Sequence, residues 1–340
     1  MPASPSPSNQ VSSPDLLLLS GRDLKQLMRP AAALEALRAT YGQLANNRAD
    51  QGRSLGFAVS RGSIHVKAGL LPGSHSAFAA KINVNLPDNW AVHRLPTIQG
   101  VVLLVDAENG RPLAIMESMT LTGLRTAAAA VLAATFGARK DSKVAAIIGC
   151  GAQAAYQLAA FMDRFPLQEV RYFDVNSARA QAFAMTAHAS GLRATLSSSA
   201  AEAVDGADIV VTCTTSKSPV LTTDMNLKGC FVAAVGADNP EKQEIDPALM
   251  GRARILVDDL EQCATSADLS HALRVGTVTR EGVHADLAAL ASGEKTGRST
   301  AEELVIFDSC GSGVQDVAVA WGAFQVARNS RMGTRFDLSG

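Results

Sequence analysis

Residues 144–161, VAAIIGCGAQAAYQLAAF, decide the fold, because an apolar run there leads into two glycines one residue apart. The run has the composition of a buried strand, and the alanine-rich segment after it has that of a helix. Gly149, Gly151 and Ala154 form the pattern GxGxxA at the junction. In such a loop the first glycine allows a tight turn, the second lets the backbone approach a pyrophosphate, and the small third residue lets the helix pack on the sheet. The stretch predicts a dinucleotide-binding strand, loop and helix.

The next predicted strand ends in Asp174, 23 residues beyond Gly151. This is close to the roughly 20-residue spacing of the acid that binds ribose hydroxyls. A carboxylate there repels a 2′-phosphate and favours NAD(H), while Arg179 keeps NADP(H) as an alternative. The competing structural interpretation is that Asp174 only caps a turn with Asn176 and Ser177. The predicted cofactor-binding residues of this region are Gly149, Gly151, Ala152, Gln153, Asp174 and Asn176.

Strand and helix patterns alternate from residue 144 onwards, which predicts a parallel sheet with helices on both faces, an α/β Rossmann fold. The predicted strands are VAAIIG, EVRYFD, ADIVVTCT, CFVAAVG, RILVDD and LVIFDS. A helix over about residues 313–329 follows the last strand, and the short segment after it could return to the first part of the chain.

The first third of the chain reads as an α+β unit. Ser20 and Asp23 have capping-box spacing and residues 30–45 have helical spacing, so helices are predicted to open the fold. Short strands are predicted between residues 54 and 84, followed by a hairpin around Asn109-Gly110.

Composition points to a small-molecule partner. The chain has 340 residues and a formal net charge of −1, so no basic excess favours nucleic acid or an anionic membrane. Five scattered cysteines lack metal-ligand spacing, so no metal is predicted and reduced thiols in the cytoplasm are expected. Residues 1–14 are predicted to be a disordered tail, and no apolar run reaches the ~20 residues that span a bilayer.

Four basic side chains are candidates for binding a carboxylate or moving a proton. Arg125 lies in an otherwise neutral predicted helix, and Lys81 lies in a mostly apolar predicted strand. His65 and Lys67 are two residues apart in a strand and therefore share a face. The competing interpretation for each is an exposed or snorkelling base.

Four blocks together resemble the ornithine cyclodeaminases and mu-crystallins. They are LPTIQGVVLLVDAENGRPLAIMES, LTGLRTAAAAVLAATFGARKDSKVAAIIGCGAQA, AVGADNPEKQEID and FDSCGSGVQDVAVA, they occur in the family's order, and the resemblance spans about residues 20–330. It implies a homodimer with a substrate-binding and dimerisation domain, residues 15–130 with 318–340, beside a Rossmann NAD-binding domain, residues 131–317.

The resemblance also implies roles for individual residues. Arg125 resembles the arginine that holds the substrate carboxylate, Thr126 would face the cofactor phosphates, and Arg53 resembles a second carboxylate arginine, although Gln51 stands where a proline is usual. Lys81 resembles the lysine that contacts the substrate carboxylate or carbonyl and assists proton transfer. Asp238 resembles the acid near the substrate nitrogen. The turn bearing Gln315 and Asp316 lies near the cofactor by resemblance, or caps the last helix by ordinary preference.

The chain differs from ornithine cyclodeaminases in the strand before the lysine that Lys81 resembles, where those enzymes have a glutamate and a methionine. His65 and Lys67 stand at these positions and suit a neutral or acidic substrate side chain better than an ammonium. The first hypothesis is therefore an NAD(P)-dependent oxidoreductase acting on the C–N bond of a small α-amino or α-imino acid. The alternatives are a true ornithine or lysine cyclodeaminase that releases ammonia with catalytic NAD, and a non-catalytic mu-crystallin-like binder.

Overall fold

A computed structural model describes residues 15–45, 50–71 and 76–338, with the side chains of residues 50, 51 and 53 outside the described part. The predicted tail, residues 1–14, also lies outside it. Twelve α-helices are found in the described ranges: α1 (Gly21–Leu27), α2 (Pro30–Ala45), α3 (Asn89–His93), α4 (Ser118–Gly137), α5 (Ala152–Arg164), α6 (Ser177–Ala189), α7 (Ala200–Val204), α8 (Pro247–Met250), α9 (Leu260–Ser266), α10 (Asp268–Val275), α11 (Leu287–Ser292) and α12 (Gly313–Ser330).

The first sheet has seven strands and is mostly antiparallel. In spatial order it comprises β17 (Thr334–Phe336), β1 (Leu16–Leu19), β6 (Pro112–Glu117), β5 (Ile98–Asp106), β4 (Ala77–Asn85), β3 (Gly62–Leu71) and β2 (Asp50–Val59). The hairpin predicted around Asn109-Gly110 is confirmed, since β5 and β6 pair antiparallel. The end of the chain returns to this sheet, because β17 pairs with β1.

The prediction that helices open the fold was wrong. Although the capping box of Ser20 and Asp23 is formed at the start of α1, the preceding leucines form β1, which pairs in parallel with β6. A run of four leucines carries no periodicity that separates strand from helix. The paired residues of the partner strand lie 97 positions later in the chain, as Leu17 opposite Ala114 shows, so tertiary pairing decided the outcome.

The second sheet has eight strands, and their pairs are parallel. Its spatial order is β15 (Ala285–Asp286), β14 (Arg254–Val257), β16 (Val305–Asp308), β12 (Phe231–Ala234), β10 (Ile209–Thr212), β7 (Val144–Ile148), β8 (Glu169–Phe173) and β9 (Arg193–Leu196). The predicted alternation is confirmed. A small pair, β11 (Lys217–Leu221) and β13 (Gln243–Ile245), lies apart. Strand order reverses between β7 and β10, and ligands bind at such a switch point, outside the carboxyl ends of the strands.

Two long helices connect the sheets. α4 contacts β5 of the first sheet and both β12 and β16 of the second, and α12 packs on β2, β3 and β4. By length and composition α4 could cross a membrane, but most of it is buried inside the protein. Its alanine-rich sequence lets neighbouring elements approach closely. The predicted domain boundary after residue 130 falls inside α4, so the chain passes between the sheets through a helix.

Candidate active site

A single cavity of about 1670 Å³ joins the carboxyl ends of the second sheet to one face of the first. Among the described side chains, it brings together eleven of the predicted site residues: His65, Lys67, Lys81, Arg125, Thr126, Gly149, Gly151, Ala152, Gln153, Asp174 and Asp238. The side chain of Arg53 lies outside the described part of the chain. Asn176 does not line this cavity, and its side-chain oxygen Oδ1 accepts the N–H groups of Ala178 and Arg179 to cap α6.

The glycine loop occupies the switch point. Gly149 has φ +95°, and a Cβ there would lie 2.9 Å from the Cys213 carbonyl oxygen, so the turn requires glycine. At Gly151, the N-cap of α5, a Cβ would meet nothing within 4 Å. The fully buried Ala154 packs in the third position of the motif. Backbone N–H groups at the start of α5 can therefore approach an anion.

Asp174 fits both interpretations made from the sequence, the ribose-binding acid and the residue that caps a turn. Its Oδ2 accepts the Cys150 N–H of the glycine loop at 2.8 Å, and its Oδ1 accepts the Asn176 N–H at 2.7 Å. The turn is thus present, but the carboxylate also stands at the loop and lines the cavity. A ribose next to this loop would meet an acceptor of the kind that binds its hydroxyls.

Unsatisfied polar atoms beside the loop fit a dinucleotide. Thr126 Oγ1 and Gln153 Oε1 are buried without a hydrogen-bond partner in the described part of the chain, and both residues line the cavity. Buried polar groups without partners cost about 1–3 kcal/mol each, so a bound polar ligand would stabilise them. The residues present therefore fit a nicotinamide dinucleotide.

A buried ionic cluster forms the other end of the cavity. Lys81 on β4 donates to Asp316 Oδ1 at 2.8 Å and to Thr122 Oγ1 at 3.3 Å. Arg125 Nε lies 3.4 Å from the same oxygen of Asp316, which is 1% exposed. Thr122, Arg125 and Thr126 share one face of α4 because they are three to four residues apart. Asp316 thus pairs with both cations of this buried cluster, Lys81 and Arg125.

The environment of Lys81 suits proton transfer near neutral pH. Burial is the largest cause and, together with Arg125 and Lys67, lowers the pKa of its ammonium to about 7, while Asp316 opposes the shift. A lysine with this pKa exists in both protonation states at physiological pH, which a general acid or base requires.

Arg125 is oriented by a chain of hydrogen bonds. It donates to Gln315 Oε1 at 2.9 Å, and the Gln315 amide donates to Asp258 Oδ2 at 3.0 Å and to the Tyr41 hydroxyl at 2.8 Å. Because the Asp258 oxygen accepts, the carbonyl end of Gln315 must face Arg125. The sequence offered Gln315 and Asp316 as a cofactor turn or a helix cap, whereas the structure pairs them with the two basic residues.

No sequence signal identified Asp258, which directly follows β14 and is fully buried. Its carboxylate accepts from Ser309 Oγ and Gly311 N–H at 2.7 Å each. It also lies with Cys263 and Cys310 in a group whose ligand-type atoms are within 4.8 Å of one another. The hydrogen bonds to Asp258 already occupy its oxygens, so the group fits a structural network better than a metal site.

The remaining predicted residues lie at the cavity wall and mouth. Lys67 donates to the Cys310 and Gly311 carbonyl oxygens at 2.9 Å each, and His65 Nε2 lies 2.8 Å from Ser63 Oγ. Asp238, just beyond β12, is half exposed and pairs with Lys242 Nζ at 2.7 Å. Desolvation opposes ionisation of Asp238, but Lys242, together with Lys67 and His65, outweighs it and holds the pKa of this carboxyl below its usual value.

The fold and the site together define a nicotinamide-dependent protein whose cavity has a cationic end for the substrate. Residues 18–331 match the ornithine cyclodeaminase/mu-crystallin family, and the chain belongs to that family. Three solved structures are similar over nearly their whole length. They are an archaeal alanine dehydrogenase dimer with bound NAD (33% identity, 95% of this chain and 99% of that one, TM-score 0.89), the Thermococcus litoralis Δ1-pyrroline-2-carboxylate reductase with NADH and L-proline (30%, 94% and 99%, 0.89) and the Paracoccus denitrificans iminosuccinate reductase with NAD⁺ (30%, 95% and 100%, 0.88).

Proposed function

We propose that the protein is an NAD(H)-dependent oxidoreductase that reduces the C=N bond of a small α-imino acid. The observation that carries the proposal is the buried cluster of Lys81, Arg125 and Asp316 facing the cavity that also holds the glycine loop. When bound, reduced nicotinamide supplies the hydride; the imine carbon gains it, the nitrogen gains a proton, and the cofactor leaves oxidised.

The substrate carboxylate binds at Arg125. The guanidinium is fixed by Gln315 and Asp316, while its Nε lacks a hydrogen-bond partner of good geometry among the described residues. A planar fork held in this way recognises a carboxylate through paired N–H donors. Fixing it before binding also reduces the entropy lost when the substrate is ordered.

Lys81 and Asp238 serve the reacting carbon and nitrogen. Lys81, with its pKa near 7, delivers or takes up the proton. Asp238 remains a carboxylate beside Lys242 and stabilises positive charge on an iminium nitrogen. Asp174, Thr126 and the glycine loop hold the cofactor, and Asp174 favours NAD(H), with Arg179 leaving NADP(H) as the weaker alternative.

A second copy of the chain covers the outer face of the first sheet. Leu55, Val66, Ile82 and Val101 form one cross-strand row. Three of them are strongly exposed, at 57% for Leu55, 44% for Ile82 and 45% for Val101. A contiguous apolar patch of this kind marks an interaction surface. We therefore assign dimerisation and substrate binding to opposite faces of this sheet in a cytoplasmic homodimer, and cofactor binding to the second sheet.

The test is a panel of 2-oxo acids with ammonium and of cyclic imino acids, each with NADH and NADPH, read by cofactor absorbance. Steady oxidation of the reduced cofactor is expected, and Lys81→Ala and Asp238→Ala should each abolish most of it. Release of ammonia and proline from ornithine without net cofactor turnover would instead establish a cyclodeaminase. Unchanged turnover in both variants on every good substrate would refute the assigned roles.

A further inference from the structure

The substrate end of the cavity has a polar wall on two paired strands. Across β3 and β4, Ser63 stands opposite Asn85, His65 opposite Asn83, and Lys67 opposite Lys81. All six residues line the cavity. A substrate with a hydrocarbon side chain, such as the imino acids related to alanine or proline, would place apolar surface against these polar groups. It would give no partner to their unused hydrogen-bonding atoms, such as the buried Asn83 Oδ1, which has none among the described residues.

The positive charges of the two lysines in this wall are not neutralised to the same extent. Lys81 pairs with Asp316, whereas the ammonium of Lys67 contacts the backbone carbonyl oxygens of Cys310 and Gly311. None of the described carboxylates lies within ion-pair distance of Lys67, and Asp238 is already paired with Lys242. Two carbonyl oxygens leave at least one of its three N–H donors unused.

Placing like charges directly opposite each other on neighbouring strands is destabilising. Lys67 and Lys81 hold these positions, and Arg125 adds a third cation nearby. Asp238 also lies close enough to Lys67 to be stabilised as a carboxylate by it, but its charge is already balanced by Lys242. Asp316 and one substrate carboxylate then supply two negative charges against the three positive groups Lys67, Lys81 and Arg125. One more anionic group would balance the site, and Lys67 is where it is lacking.

We propose, building on the function above, that the preferred substrate is an α-imino dicarboxylate whose second carboxylate is bound by Lys67 beside His65. The first carboxylate occupies Arg125, so the imine carbon lies between the two anionic ends and near Lys81. The chemical change is the same reduction, one hydride to carbon and one proton to nitrogen. The second carboxylate is not altered and acts only in recognition.

The first experiment compares freshly prepared oxaloacetate with pyruvate, each with ammonium and NADH, for the full-length wild-type protein. The imine of oxaloacetate is expected to have a kcat/KM about 10- to 100-fold higher, the range that a charge-assisted hydrogen bond provides. If the pyruvate imine is reduced equally well or better, the dicarboxylate inference fails while the proposed function stands. If neither pair consumes NADH and ornithine yields ammonia, the proposed function itself fails.

The second experiment replaces Lys67 with methionine, which keeps most of the side-chain volume and removes the charge. KM for the oxaloacetate imine should rise about 10- to 100-fold, while KM for the pyruvate imine should change by less than about threefold. Lys140→Met, at an exposed lysine, is the matched control. Equal losses on both substrates would show a structural role for Lys67 and overturn the assignment.

A binding measurement does not depend on turnover. Calorimetric titration of the wild-type protein with NADH present, which cannot react with an already reduced amino acid, should give tighter binding of L-aspartate than of L-alanine, and Lys67→Met should remove the difference. Lys67→Arg, which keeps the charge, should retain much of it and also shows that the position tolerates replacement. Equal affinity of the wild-type protein for the two amino acids would contradict the proposal.

Discussion

Replacing Asp316 with asparagine should shift the pH dependence of the reaction to lower pH. Asp316 Oδ1 lies 2.8 Å from Lys81 Nζ and 3.4 Å from Arg125 Nε, and all three side chains are buried. The amide keeps the size and one oxygen acceptor but removes the negative charge. Two buried cations would then face each other with no compensating carboxylate between them.

The size of the shift follows from the charge that is lost. A carboxylate within hydrogen-bond distance changes the pKa of its partner by about 1–3 units, so the pKa of Lys81 should fall by that amount from its value of about 7. Imine reduction needs the protonated lysine. For a fall of one to two pH units, the protonated fraction at pH 7 drops about 5- to 50-fold. The loss should largely disappear near pH 5, where the ammonium is restored.

The measurement is kcat/KM for imine reduction between pH 5 and pH 9 in the wild-type protein and in Asp316→Asn. The limb that declines with rising pH should move to lower pH in the variant, and Asp163→Asn, at an exposed aspartate, should leave it in place. Thermal unfolding verifies that both variants fold. A uniform loss of activity at every pH would refute the electrostatic reasoning and indicate that Asp316 acts through packing alone.

Three further predictions test the cofactor loop, the core and the dimer face. Gly149→Ala would force φ +95° on a residue whose Cβ lies only 2.9 Å from the Cys213 carbonyl oxygen. The Kd for NAD⁺, measured by calorimetry, should therefore rise at least about tenfold. Unchanged affinity would contradict the proposed role of the loop. Burial and then Glu244 raise the pKa of Asp268 to about 7, so the protein loses stability as pH rises from about 4 to 7, where Asp268 must ionise in the folded state. In urea, the stability advantage of Asp268→Asn over wild type should therefore be larger at pH 8 than at pH 5, and a pH-independent difference would oppose this. Phe57→Glu, at a side chain 53% exposed, should convert a dimer to a folded monomer by light scattering, and a persisting dimer would place the interface elsewhere.

Most of the second sheet could be predicted because its signals are local. Each strand is a short apolar run, each helix follows it directly, and the two glycines at residues 149 and 151 mark the loop between the first pair. The first sheet was harder to predict. β1 was missed because a run of four leucines becomes a strand only when it pairs with β6, far along the chain.

The site was predictable in its cations but not in their partners. Lys81 and Arg125 stand out as charges in apolar segments, and His65 and Lys67 share a face by strand alternation. Asp316 did not stand out, because an acid in the first turn of a helix is ordinary where it faces solvent. Asp258 and Gln315 had no distinguishing pattern at all, since their importance comes from what they contact.

The amino-acid sequence by itself determined the α/β class, the cofactor loop and the basic residues of the site, because adjacent residues specify these features. Only the tertiary structure decided the electrostatics. It joins Lys81 to an aspartate 235 residues later and sets Lys67 against two backbone carbonyls. Burial and distance control charge interactions, and both arise only after the strands and helices have packed. Asp316 compensates Lys81 in the folded protein, and Lys67 lies opposite it with backbone carbonyls as its contacts.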